Sequence, residues 1–137
     1  MTLLVDSGTL IAAIDPREPQ HDQCRQLLEA YEGRLIAPQL VLAEVVYFVG
    51  RRLSAEIEVR FLGSLAAGEI EAEPVRPADW LRIADLVARY HDLPLGTVDA
   101  SVVAAAERLG ATAIATLDRR DFGAVRPKHV EAFTLVP

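Results

Sequence analysis

Short apolar runs alternate with longer stretches of helical periodicity along the chain, and that alternation limits the fold more than any other feature. Thr2–Val5, Arg34–Ala37, Ala111–Thr116 and Phe133–Val136 are short, apolar and bounded by turn residues, so they read as strands. Glu69–Glu73, with its Glu-Ile-Glu-Ala-Glu alternation, reads as an edge strand with one wet face. The intervening segments carry apolar residues at helical spacing: Thr9–Ile14, His21–Glu32 stopped by Gly33, Pro38 to about Leu53, a helix capped by Ser54 and ending near Gly68, Pro77 to Tyr90, and a helix capped by Thr97 that runs to Leu109 before Gly110. Strands alternating with helices predict an α/β fold with a mostly parallel twisted sheet covered on both faces. Such sheets bind ligands at the carboxyl ends of their strands, where the strand order reverses. Asp6 and Asp118 each stand just past a strand end, so both point to that crevice if their strands are neighbours.

A chain of 137 residues, 51% of them hydrophobic, can bury one core but not two, which predicts a single domain over residues 1–137. The segment Met1-Thr-Leu-Leu-Val-Asp6 lacks the basic region and long apolar stretch of an export signal. The apolar stretch Leu35–Gly50 is interrupted by Pro38, Gln39 and Glu44 and is too short to span a bilayer. The expectation is a cytoplasmic protein with no membrane association. The lone Cys24 forbids an internal disulfide, removes zinc patterns built on cysteine pairs, and shares helical spacing with Leu27, Leu28 and Tyr31, which places it in the core. Any metal must then take oxygen ligands. A net charge of −6 opposes general affinity for nucleic acid, so a polyanion has to meet a local patch. Arg119, Arg120, Arg126 and Lys128 form one candidate patch and Arg51-Arg52 another.

Glu44 is the most informative acid, because Leu40–Val49 is otherwise apolar. A carboxylate on a buried helix requires a cation, a metal or a wet cleft beside it; a structural ion pair with a buried arginine is the plain alternative. Asp99 lies in the first turn of its helix, where the dipole alone favours an acid. Asp6 can be read as a helix cap and Asp118 as a turn residue. Taken together, four acids at one crevice repel each other unless a hard divalent cation such as Mg²⁺ or Mn²⁺ lies among them. The chemistry that suits such a centre is phosphodiester hydrolysis. The chain carries no phosphate-binding loop, dinucleotide fingerprint, zinc-protease helix or nucleophile elbow, and His21, His91 and His129 show no shared spacing.

Four segments carry a family resemblance: Leu4-Val-Asp6-Ser-Gly-Thr-Leu-Ile-Ala, Pro38-Gln-Leu-Val-Leu-Ala-Glu44, the run from Gly96 to Gly110 that contains Asp99, and Ala115-Thr-Leu-Asp118-Arg-Arg-Asp-Phe122. In order, spacing and total length they resemble the PIN domain and, within it, the VapC type of toxin. The resemblance implies a three-layer α/β/α sandwich with a central parallel sheet, and a Mg²⁺- or Mn²⁺-dependent endoribonuclease of a type II toxin–antitoxin system. It implies Asp6 and Asp99 as principal metal ligands, Glu44 and Asp118 completing the acidic pocket, and Ser7 and Thr116 as supporting hydroxyls. Many relatives have an acid at the Asp121 position and another polar residue at the Asp118 position, whereas this chain has both. Asp118 is nearer the strand end and is favoured, with Asp121 as a helix-capping or substrate-side alternative. Arg119 and Arg120 would contact RNA. The resemblance also implies a homodimer and a VapB-type antitoxin that covers the pocket, often inserting an arginine among the acids. Two other readings share the fold class. One is a catalytically silent binding module. The other is a phosphoacceptor domain, weakened because the only lysine, Lys128, follows Arg126-Pro127 rather than closing a strand, and no adjacent acidic pair lies near Asp6.

Overall fold

Parallel strands cannot be joined by tight turns, so each must be followed by a crossover, and this chain supplies one after every strand but the last. The computed structural model describes residues 1–137. Its elements run β1 (Thr2–Val5), α1 (Ser7–Ile14), α2 (His21–Ala30), β2 (Arg34–Pro38), α3 (Gln39–Arg52), α4 (Ala55–Ala66), β3 (Glu71–Glu73), α5 (Pro77–Arg89), α6 (Thr97–Leu109), β4 (Ala113–Ala115), α7 (Arg119–Ala124) and β5 (Thr134–Val136). The five strands lie in the order β3-β2-β1-β4-β5, and every pairing is parallel. The chain therefore builds outward from β1 on one side, then returns to fill the other side. The order reverses between β1 and β4, where Val5 pairs with Ala115, so the strand ends that carry Asp6 and Asp118 are neighbours.

Right-handed crossovers place α1–α4 over one face of the sheet and α5–α7 over the other. The packing follows: α1 lies on α2 and α3, α3 on α4, and α5 on α6. α3 begins at the carboxyl end of β2 and also reaches α6, which joins the two layers near the strand ends. The central strands are wholly buried at Leu3, Leu4, Val5, Ile36, Ala37, Ile114 and Ala115, whereas the edge strands stay partly exposed. No helix is long and apolar enough to cross a membrane.

α6 is the most enclosed helix, with every residue from Ala100 to Ala106 buried. Its small residues let neighbours approach closely, and full burial of Val102 and Val103 stabilises the fold by about 2 kcal/mol each. Such a helix can carry charge only at its ends. Asp99 stands at the start, and Glu107 and Arg108 at the finish. Arg82 of α5 grips Glu107 through two bonds of 2.8 Å, while Arg108 donates to Asp79 at 2.9 Å and to Glu73 at 2.8 Å. Asp79 also accepts the Arg76 N–H at 2.9 Å, so the carboxylate that holds α6 fixes the first turn of α5 as well.

Several local expectations meet a different physical cause. Ser54 does cap α4, its hydroxyl accepting the Ile57 N–H at 3.2 Å. Thr97 caps nothing, since the N-cap of α6 is Gly96 and no side-chain bond closes that end. Gly33 does not terminate α2, which ends at Ala30. It is required by close approach: a Cβ there would lie 2.3 Å from the Met1 carbonyl, beside the point where Arg34 N–H bonds that same oxygen. Gly110 does end α6, with φ 70° in the left-handed region. The six-residue α7 is too short for periodicity to reveal it. Cys24 is fully buried, and the His21 ring pairs with the Ala12 carbonyl at 2.7 Å.

Candidate metal centre

Two adjacent strand ends are tied together at the reversal point. Asp6, the first residue past β1, caps α1 by accepting the Ser7 N–H on Oδ1 at 2.8 Å. Its Oδ2 accepts the hydroxyl of Thr116, the first residue past β4, at 3.0 Å. The Thr116 oxygen accepts the Asp118 N–H at 2.9 Å, and Asp118 Oδ1 accepts the Asp121 N–H at 3.0 Å. A continuous chain of hydrogen bonds thus runs from β1 through β4 into α7, which leaves Asp6 little freedom to reorient. Ser7 contributes through its backbone rather than its hydroxyl.

The carboxylates that come closest together are Asp99, Asp118 and Asp121, each offering an oxygen within 4.8 Å of the others. Asp118 performs the helix-capping role that the sequence left to Asp121. Asp121, only 8% exposed, faces the same space, so the two acids share the site rather than compete for one place. The i, i+3 spacing of Asp118 and Asp121 was the available signal: a cap and the first-turn acid it bonds lie side by side. Asp6 lies outside this tight trio but near enough for its charge to act on Asp99.

Glu44 corrects the burial argument made from sequence. α3 buries only Val41, Leu42, Val45 and Val49, and Ala43, Glu44 and Tyr47 are exposed. The apolar stretch is one-sided because Leu40, Val46 and Phe48 are only partly covered, so burial does not force a counter-ion on Glu44. Its link to the centre is electrostatic: its charge raises the pKa of both Asp6 and Asp99.

Burial is the main cause that raises Asp6. The Ser7 N–H and Thr116 hydroxyl pull it back, and the charges of Glu44 and Asp118 push it up again. Asp99 rises from 3.8 to about 7, through burial first and then through Asp6, Asp118, Asp121 and Glu44. The N-terminal dipole of α6 acts in the opposite sense. It is worth about 0.3–1 kcal/mol, less than one pH unit, and it loses to burial and four like charges. Arg120 is the one cation at the cluster, its Nε 3.3 Å from Asp121 Oδ1. The same guanidinium donates to the Leu93 carbonyl, and that of Arg119 donates to the carbonyls of Leu135 and Pro137. Both side chains are exposed but partly committed to holding the loop before α6 and the end of β5.

This arrangement suits a hard divalent cation. The donors are all carboxylate oxygens, three of them within reach of one ion, and their mutual repulsion is relieved by positive charge between them. A mainly apolar groove lies elsewhere, between α1, α2 and α4, with a volume of about 550 Å³ lined by Leu10, Ile14, Leu28, Tyr31, Leu35 and Phe61 among others. We place the chemistry at the acids, because charged groups with a raised pKa converge there, whereas the lining of the groove is mainly apolar.

A family model described as "PIN domain" matches residues 3–126. Ribonuclease VapC26 of Mycobacterium tuberculosis (strain ATCC 25618 / H37Rv) is 33% identical over 135 residues, covering 98% of this chain and 100% of that protein. Among solved structures, M. tuberculosis VapC20, a Sarcin-Ricin loop cleaving toxin, superposes with a TM-score of 0.82 at 19% identity, over 94% of this chain and 98% of that one. A toxin-antitoxin complex from Klebsiella pneumoniae matches with a TM-score of 0.71 at 21% identity, over 90% of this chain and 92% of that one.

Proposed function

This chain belongs to the PIN domain family, and from that premise we propose that it is a Mg²⁺- or Mn²⁺-dependent endoribonuclease, acting in the cytoplasm as the toxin of a type II toxin–antitoxin pair. The observation that carries the reading is Asp99, a carboxyl pushed to about 7 by burial and four neighbouring acids, in a site made only of oxygen donors. The full-length similarity to Ribonuclease VapC26 supports RNA as the substrate. The whole chain acts as one domain, since the acids come from segments as distant as Asp6 and Asp121.

Asp6 and Asp99 are assigned as principal metal ligands, with Glu44, Asp118 and Asp121 completing the pocket. A bound divalent ion would lower the pKa of an attacking water and stabilise charge on the phosphate. The protein's own part is preorganisation. Ser7 and Thr116 hold both oxygens of Asp6 in place, and Asp99, its carboxyl raised to about 7 by burial and the surrounding acids, would hold the ion as a carboxylate. Glu44, exposed and outside the tight trio, would serve as the general base toward the attacking water. Arg120 stands at the acids, with Arg119 next to it on α7, and together they would offset the repulsion an RNA phosphate meets.

A VapB-type antitoxin is the inferred partner. The groove between α1, α2 and α4 offers it an apolar seat, and an arginine reaching the acids would replace the metal's charge. A homodimer is supported by Trp80 and Leu81 of α5, which are 50% and 78% exposed. The test is incubation of the purified protein with total RNA and Mn²⁺. Cleavage that Asp6→Asn and Asp99→Asn abolish without unfolding is the expected result; intact RNA with a folded, metal-loaded protein would replace the enzyme with a catalytically silent binding module.

A further inference from the structure

The acidic site explains how a phosphodiester is cut but not how a chain of charge −6 holds a polyanion in place. The exposed face of α3 supplies an answer. Glu44, Tyr47 and Arg51 are spaced i, i+3 and i+7, so they share one side of the helix, with Arg51 about 10 Å along the axis from Glu44. Tyr47 is 66% exposed, an unusual position for a large aromatic ring, and the Arg51 guanidinium lies over it at 5.6 Å from the ring centroid. Arg52, the next residue along the chain, is exposed, and Arg17, bonded to the Arg52 carbonyl at 3.4 Å, adds a third guanidinium whose side chain is 67% exposed. Arg17 is partly neutralised by Asp15, but Arg51 and Arg52 form no ion pair.

We propose that Tyr47 and Arg51 form a platform on which an unpaired nucleobase of the RNA stacks next to the cleavage site, with Arg51 and Arg52 contacting the adjoining phosphates. An aromatic ring next to a basic cluster, one helical turn from a carboxylate of the metal centre, is the arrangement that single-stranded nucleic acid requires. The ring takes any base by its π-face and the guanidinium takes the backbone. The substrate segment is accordingly a loop or single strand rather than a continuous duplex, because only an unstacked base can lie on the ring. Tyr47 and Arg51 are positioning residues that touch the strand beside the scissile bond. The inference rests on the ribonuclease reading above.

The test uses hairpin RNAs with 2-aminopurine at each loop position in turn, titrated with the protein in EDTA, where binding is read without metal-dependent cleavage. Quenching at one loop position by wild type, kept by Tyr47→Phe and weakened roughly ten-fold in affinity by Tyr47→Ala, is the expected result. Arg51→Gln should weaken binding and flatten its salt dependence. With Mn²⁺, Tyr47→Ala should raise KM by a similar factor while kcat stays constant. Absence of quenching in wild type, or unchanged binding and KM in Tyr47→Ala, overturns the proposal. So does a change in sedimentation of Tyr47→Ala, which would make the ring a contact between protein copies. Wild type that binds and quenches but never cleaves would instead sink the ribonuclease reading and leave the platform intact.

Discussion

Replacing Asp99 by asparagine is expected to stabilise the metal-free protein at pH 8 and to leave it almost unchanged near pH 4. In the folded chain this carboxyl titrates at about 7 rather than 3.8. Below pH 3.8 the folded and unfolded forms both hold the proton, and the group contributes no difference. Between 3.8 and 7 the unfolded chain releases its proton while the folded chain retains it, so stability falls as pH rises, and the loss is complete above 7. At about 1.4 kcal/mol per pH unit the full shift would amount to roughly 4 kcal/mol. Asp99 is only half-buried, and solvent screening reduces this to about 2 kcal/mol. Asparagine has the same shape without the charge, so it removes the penalty. In a domain of this size that corresponds to a rise in Tm of about 6–8 °C. Thermal and urea unfolding in EDTA at pH 4, 6 and 8 measure it. Repeating the series with Mn²⁺ should reverse the order, because the metal stabilises only the form that binds it. Equal stabilities at pH 8, or an advantage of the same size at pH 4, would refute the reasoning.

Arg108→Ala should destabilise the fold by about 2 kcal/mol, because it leaves the buried Asp79 without its guanidinium. Burial raises the Asp79 carboxyl, but the bonds from Arg108 and the Arg76 N–H hold it below its usual value, so this stability is lost in acid. Urea midpoints of variant and wild type should differ at pH 7 and converge as pH falls below about 4. Thr116→Val removes a donor to Asp6 and the acceptor of the Asp118 N–H, at a cost of about 1–2 kcal/mol, whereas Thr116→Ser retains both bonds. Turnover with Mn²⁺ should drop for the valine variant and stay near wild type for serine.

The sheet and most helices could be read directly because their signals are local: apolar runs too short for helices, caps such as Ser54, and the stop at Gly110. Asp6 and Asp118 could be placed at strand ends, but whether β1 and β4 are adjacent depends on strand order, which no local pattern encodes. Glu44 illustrates an opposite error. A helix rich in valine and leucine looks buried on all sides, yet in the fold only one side of α3 meets the core. Tyr47, one turn further on, was passed over for the same reason, since an aromatic within such a stretch reads as core until its exposure is known. The division of roles between Asp118 and Asp121 needed the backbone of α7, a helix too short to show a period. The reciprocal ion pairs of α5 and α6 join residues about thirty positions apart and have no signature in the chain.

The middle strand of this sheet is made first and flanked last. β1 acquires β2 early, but its other edge stays open until β4 is synthesised, three crossovers later. An unfinished chain therefore presents the bare backbone of Leu3, Leu4 and Val5 to any passing strand, a hazard of misassociation that a chaperone would have to manage. The same late insertion delivers Thr116, Asp118 and Asp121, so a product that stops before β4 lacks part of the acid cluster. The acidic centre is complete only once β4 has joined the sheet beside β1 and α7 has followed it.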